Sequence, residues 1–143
     1  MPSGILAETN KLLQKDRVII YEAAVQCDNF FVRTDILIKD NDRIKLIEVK
    51  AKSVDFASEE DFLNKSGAII PAWHAYLYDV AFQKYVLMKA FPGYKVSAYL
   101  MMADKNALCP TDGLNQKFKL SKNEQGRTFV TVSKELSLED LNM

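Results

Sequence analysis

Asp35, Glu48 and Lys50 carry the strongest chemical signal in this sequence, because each interrupts an apolar run, FFVRTDILIK or IKLIEVKAK. A charge in such a run is costly unless it is paired or functional. Two carboxylates converging on one point make an oxygen site for a hard divalent ion such as Mg²⁺. A lysine beside them can orient a water and offset charge on a phosphate. An E-x-K triplet by itself arises by chance in about half of chains this long, so its meaning comes from the aspartate on the preceding segment.

The three residues meet only if two strands bring them together. Phe30 to Lys39 and Ile44 to Lys52 read as strands, and Asp40, Asn41, Asp42 and Arg43 between them suit a tight hairpin loop. Closing that hairpin symmetrically about Asn41 and Asp42 sets Asp35 opposite Glu48, with Cβ atoms ~5 Å apart, a like-charge contact that calls for a cation between them. Alternation then places Glu48 and Lys50 on one face and Ile47, Val49 and Ala51 on the other. The same symmetric rule applied to the preceding loop puts Glu22 opposite Arg33 and diagonal to Asp35. There it would complete a metal's shell or orient Arg33. A slip of one residue would turn the whole set to the opposite face.

The remaining elements supply the frame. Residues 4 to 15 read as a helix with Ile5, Leu12 and Leu13 inward, Arg17 to Val25 as a strand, and QCDN at 26 to 29 as a polar break. Pro71 suits the first turn of a second helix that Pro92-Gly93 ends, with Trp73, Leu77, Val80 and Ala81 as its packing stripe. Tyr94 to Met102 returns as an apolar strand with Met101 and Met102 as core filler. Residues 117–121 and 127–133 suit a hairpin across NEQG, and SLEDLNM reads as the start of a helix capped by Ser137. The order predicts an α/β fold, a mixed central sheet flanked by helices, in one domain over 1–143.

Composition narrows the partners. The chain is 48% hydrophobic and 27% charged, and 19 basic against 19 acidic residues leave no net charge, so any nucleic-acid binding must be local. The opening MPSGILAETNKLL lacks a basic, then apolar leader, and no segment approaches a membrane span, which points to a cytoplasmic protein without membrane contact. Cys27 and Cys109 read as reduced thiols, too few for a four-cysteine cluster. His74 has no neighbour at metal-ligand spacing and reads as a packing or surface residue. Lys39, Lys45, Lys52, Lys65 and Lys84 could follow a phosphate backbone, but scattered lysines are usually just solubilising.

The segments YEAAV, VRTDILI, LIEVKAKS and YLYDVAFQKYVL, in that order, resemble the RecB-like branch of the PD-(D/E)XK nucleases across roughly residues 5 to 105. The chain looks most like an uncharacterised bacterial family in which this core is followed by a DnaQ-like exonuclease domain. An ending at the start of a helix fits either a piece cut from such a longer protein or a frayed natural terminus. The resemblance implies a restriction-endonuclease-like core that hydrolyses phosphodiester bonds, in DNA rather than RNA, for repair, recombination or defence, with Mg²⁺ or Mn²⁺. It implies Asp35, Glu48 and the Val49 carbonyl as metal ligands, Lys50 as the catalytic lysine and Gln83 as the helix glutamine.

Two departures from the family pattern matter. The tyrosine usual four residues after the glutamine is replaced by Leu87, and Tyr85 lies about 200° around the helix from Gln83, whereas Asp79 shares its face. The upstream helix ligand of the branch is missing, with Glu8 the remaining candidate. The cluster-binding cysteines of related nucleases are absent too, so no iron–sulfur cluster is expected. These departures support an alternative, a catalytically weak or inactive module that binds nucleic acid or a neighbouring domain.

Overall fold

The computed structural model of the chain describes residues 2–55, 57 and 62–141. These fall into two compact units, residues 1–105 and 106–143.

The first unit runs α1 (Pro2–Leu12), β1 (Arg17–Cys27), β2 (Phe30–Asp40), β3 (Arg43–Val54), α2 (Pro71–Ala90) and β4 (Lys95–Asp104). The four strands form one mixed sheet in the order β1-β2-β3-β4. The first two neighbour pairs, β1–β2 and β2–β3, run antiparallel, and β4 lies parallel to β3. A parallel neighbour needs a long crossover, and α2 provides it. Pro71 takes the first position of α2 as expected, and the chain leaves the helix just before Pro92. The result is an α/β protein with two helices packed against a mixed sheet.

Both hairpins close with two-residue loops. In each, the first loop residue adopts the left-handed conformation, Asp28 at φ 53° and Asn41 at φ 53°, a backbone that Asp and Asn tolerate better than most residues. The β2–β3 hairpin has the expected register, Asp40 opposite Arg43 and Ile36 opposite Ile47. The β1–β2 register differs from the symmetric expectation. Its loop is Asp28-Asn29 and Cys27 faces Phe30, so Ala24 rather than Glu22 lies opposite Arg33. The error is two residues, and around Glu22 and Asp35 both strands change burial phase, from Ile20 to Ala23 and from Thr34 to Leu37.

One core holds the unit together. Leu13, Ile20, Ala23, Val25, Val32, Leu37, Ile44, Leu46, Val86 and Leu87 are buried in a single cluster, and full burial of a leucine or valine contributes roughly 1.5–3 kcal/mol. On α2 the buried residues are Trp73, Val80, Gln83, Val86 and Leu87, whereas Ala81 of the expected stripe is exposed. Met101 is likewise exposed rather than core filler. Its strand alternates between half-buried and exposed positions.

Lys39 also departs from the reading as solvated charge. It is buried, and its Nζ donates to the carbonyls of Leu13 at 3.0 Å and Lys15 at 2.7 Å. The ammonium thus satisfies acceptors left free where α1 ends, and its charge complements the negative end of the helix.

The second unit contains β5 (Phe118–Lys122) and β6 (Thr128–Val132), an antiparallel hairpin turned by Asn123 and by Gly126 at φ 76°. Ser137 caps a single 3-10 turn at Glu139–Leu141, shorter than the expected helix, with Ser137 Oγ accepting from the Asp140 N–H at 3.2 Å. Asn142 and Met143, the end of that expected helix, lie outside the described residues, as do Phe56 and residues 58–61 of the stretch before α2. Cys27 and Cys109 are free, and no described helix is long and apolar enough to cross a membrane.

Candidate functional site

The site forms where β3 passes under α2. Along β3, Ile44, Leu46 and Glu48 are buried and Lys50 and Lys52 are half-buried, while Lys45, Val49 and Ala51 are exposed. Glu48 and Lys50 therefore share the face that packs on α2, as the alternation predicted. On α2, Tyr76, Asp79 and Gln83 are spaced by three and four residues and so share one face of the helix.

The two faces interlock through hydrogen bonds. Lys50 Nζ donates to Glu48 Oε1 at 2.7 Å and to Asp79 Oδ2 at 2.9 Å. Gln83 Nε2 donates to Glu48 Oε2 at 2.8 Å and to Asp79 Oδ1 at 3.1 Å. The two carboxylates fix the orientation of the Gln83 amide, since only its NH₂ end can donate to them. This leaves Gln83 Oε1 buried without a partner among the described residues. A buried acceptor with no donor costs about 1–3 kcal/mol and needs an explanation such as a bound ion or water.

The charges of the network support one another. Hydrogen bonds to Glu48 and then to Asp79 hold the Lys50 ammonium above the ordinary lysine range, against partial burial. For Asp79, partial burial pushes the carboxyl up, but hydrogen bonds from Lys50 and Gln83 outweigh it and hold the group below its usual range.

No family model, curated protein or solved structure matches this chain. The site therefore rests on its own geometry.

Asp35 joins from β2. The β2–β3 ladder is regular as far as Ile36 and Ile47, and beyond it Asp35 Oδ2 accepts the backbone N–H of Val49 at 2.7 Å. The burial of β2 changes phase here, from Val32 and Thr34 to Leu37 and Lys39, so Asp35 is placed by its bond to the Val49 N–H rather than by the pleat. Val49 enters the site through its N–H.

Glu22 occupies the one gap in the β1–β2 ladder, between the pairs Tyr21–Ile36 and Ala23–Thr34, at the place opposite Asp35. Its φ of 56° is unusual for a glutamate within a strand, and such strained backbone concentrates at functional sites. Its carboxylate pairs with Arg33 Nε at 2.6 Å, the salt-bridge role foreseen for it, with both side chains half-exposed. Glu8 lies on the exposed side of α1, and His74 stacks near Tyr78 at 5.9 Å between ring centroids.

The donor set suits a hard cation in kind. Asp35 and Glu48 offer carboxylate oxygens, and Gln83 offers a buried amide oxygen with no partner among the described residues. Mg²⁺ commonly uses only one or two protein carboxylates and fills its shell with water and substrate oxygens. Among the described residues no three His, Cys, Asp or Glu side chains gather as a metal cluster, and both oxygens of Glu48 already accept protein donors. A cation would thus compete with Lys50 for Glu48 Oε1.

Two features were missed in the sequence. The β3–β4 register shifts between Val49 and Ser53, a bulge-like irregularity that frees Lys50 and Lys52 from regular pairing with β4. Bulges beside active sites re-aim side chains. Lys52 stands 3.8 Å from the centre of the Trp73 ring. Its parity with Glu48 and Lys50 was the available signal.

Proposed function

We propose that the chain is a divalent-metal-dependent hydrolase of phosphodiester bonds in nucleic acid, DNA rather than RNA, built on a restriction-endonuclease-like core of the RecB-like PD-(D/E)XK kind. The observation that carries this reading is the hydrogen-bonded set of Glu48 and Lys50 on β3, with Gln83 and Asp79 on α2, beside an Asp35 bonded to the same stretch of β3. The order helix, three strands, helix, strand supports it.

Asp35 and Glu48 would hold the Mg²⁺ or Mn²⁺, and Gln83 Oε1 lies in the same network as a further oxygen. When bound, such an ion supplies a more acidic water and offsets charge on the phosphate. Lys50, fixed as a charged donor by two carboxylates, orients the attacking water and stabilises charge building on the phosphate oxygens. Asp79 and Gln83 position Lys50 and Glu48 from the helix.

The test is cleavage of end-labelled DNA and RNA by the full chain in Mg²⁺, Mn²⁺ or chelator. Cleavage is expected with metal only, and Lys50→Ala or Asp35→Ala is expected to lower its rate by about 10²-fold or more. A second reading, a nucleic-acid-binding or domain-interaction module without catalysis, is favoured by one observation. Both oxygens of Glu48 are taken up by Lys50 and Gln83. That reading predicts salt-sensitive DNA binding, kept by Lys50→Ala, with no cleavage in Mn²⁺.

A further inference from the structure

We infer that Lys52 binds the backbone phosphate next to the one being cut, held ready for it by Trp73 and Tyr76; this rests on the nuclease reading above. Lys52 is two residues beyond Lys50 on the same face of β3, a step of about 6.6 Å along a strand. That step is comparable to the distance between successive phosphates of an extended nucleic-acid strand. A strand laid along β3 with one phosphate at Lys50 therefore brings a neighbouring phosphate to Lys52.

The way Lys52 is held distinguishes it from the other lysines. Its ammonium sits 3.8 Å from the Trp73 ring centre and 5.5 Å from that of Tyr76, while Lys50 lies 5.7 Å from Tyr76. Tyr76 thus stands beside both cations. Trp73 is almost fully buried and packs against Phe62 at 5.3 Å and Tyr76 at 6.0 Å, so the surface under Lys52 is rigid. Contact with an aromatic face immobilises the flexible lysine stem without consuming its three N–H donors. Lys39 spends donors on two carbonyls and Lys50 on two carboxylates, whereas among the described residues Lys52 has no carboxylate partner. The register shift between Val49 and Ser53 leaves Lys50 and Lys52 outside the regular pairing with β4.

The experiment measures binding of fluorescent 12-nucleotide DNA and RNA single strands to the full chain in chelator, over a salt series, and cleavage in Mn²⁺. Lys52→Met keeps the stem and removes the charge. It is expected to weaken binding about fivefold, to flatten the log–log salt slope by about 0.7, equally on DNA and RNA, and to raise KM rather than lower kcat. Lys52→Arg is expected to restore the slope, which separates lost charge from misfolding. A wild-type chain that cleaves, with Lys52→Met unchanged in slope and KM, overturns this inference and leaves the nuclease reading standing. A fall in kcat at constant KM overturns it as well. A wild-type chain that neither binds nor cleaves overturns both.

Discussion

Gln83 crosses from α2 to β3 and donates a 2.8 Å hydrogen bond to Glu48 Oε2, while its own Oε1 stays buried and, among the described residues, unpartnered. The glutamine therefore organises the acid at a cost to itself, which is hard to explain as packing alone. Gln83→Leu removes the orphan oxygen but strips a buried carboxylate of a donor, and the second effect is the larger because the acceptor is charged. The expected loss is about 1–3 kcal/mol, read from urea midpoints. A gain in stability would mean that Glu48 does not depend on this bond.

Divalent metal is expected to stabilise the fold through Asp35 and Glu48. At 100 times its dissociation constant a ligand of the folded state adds about 2.7 kcal/mol. Thermal melts with Mn²⁺ and with chelator measure this, and Asp35→Ala and Glu48→Ala should each abolish the gain. If either variant kept the full metal response, that residue would not be a ligand.

The Lys50–Asp79 pair sets a pH dependence. Asp79 titrates below its ordinary value in the folded chain, so its contribution is present above about pH 4 and lost as the pH falls through the depressed folded value. Lys50 is raised, so its contribution is complete below the ordinary lysine range and lost only as pH climbs through the higher folded value. Wild type is expected to be more stable than Asp79→Asn at neutral pH, with the gap closing on acidification. A gap of constant size from pH 7 to pH 2, followed by urea unfolding, would contradict the pairing.

Asp140 repeats the pattern in the second unit, where Lys117 first and then Ser137 draw its carboxyl down to about 2. Asp140 Oδ2 accepts from Lys117 Nζ at 2.7 Å and from the Ser137 N–H at 2.8 Å. Its support of the terminal turn is present above about pH 4 and fades as pH falls toward the folded value. Hydrogen exchange of the Ser137 amide should be protected at pH 6 and lose that protection in Asp140→Ala. Equal protection in the two chains would show that the carboxylate does not hold the turn.

The parts of the fold set by local chemistry were legible. Asn41-Asp42 fixes a two-residue loop, the loop fixes the β2–β3 register, and the period of two then puts Glu48 and Lys50 on one face. Asp79 was placed beside Gln83 by helical spacing alone. The β1–β2 register was misjudged because Asp28-Asn29 turns the chain two residues later than symmetry about the polar run suggested, yet the Glu22–Arg33 pair formed all the same, since long side chains reach a diagonal neighbour. What could not be read was long-range. The register shift after Val49, the seat of Lys52 on Trp73 and the burial of Lys39 depend on elements distant in sequence.

Lys39 gives the sharpest test of that last point, because the same residue was read as solvated charge. In the structure it is buried and its ammonium serves the Leu13 and Lys15 carbonyls where α1 ends, 5.5 Å from the Tyr94 ring centre. Lys39→Met keeps the apolar stem and removes the donors, leaving carbonyls unpartnered at the end of a helix packed on β1. The expected cost is about 1–3 kcal/mol in urea unfolding. Oligonucleotide affinity and its salt slope should stay as in wild type, because this ammonium is buried and spends two of its three donors on carbonyls, away from any phosphate in solution. A surface lysine would give the opposite result, unchanged stability and a shallower salt slope.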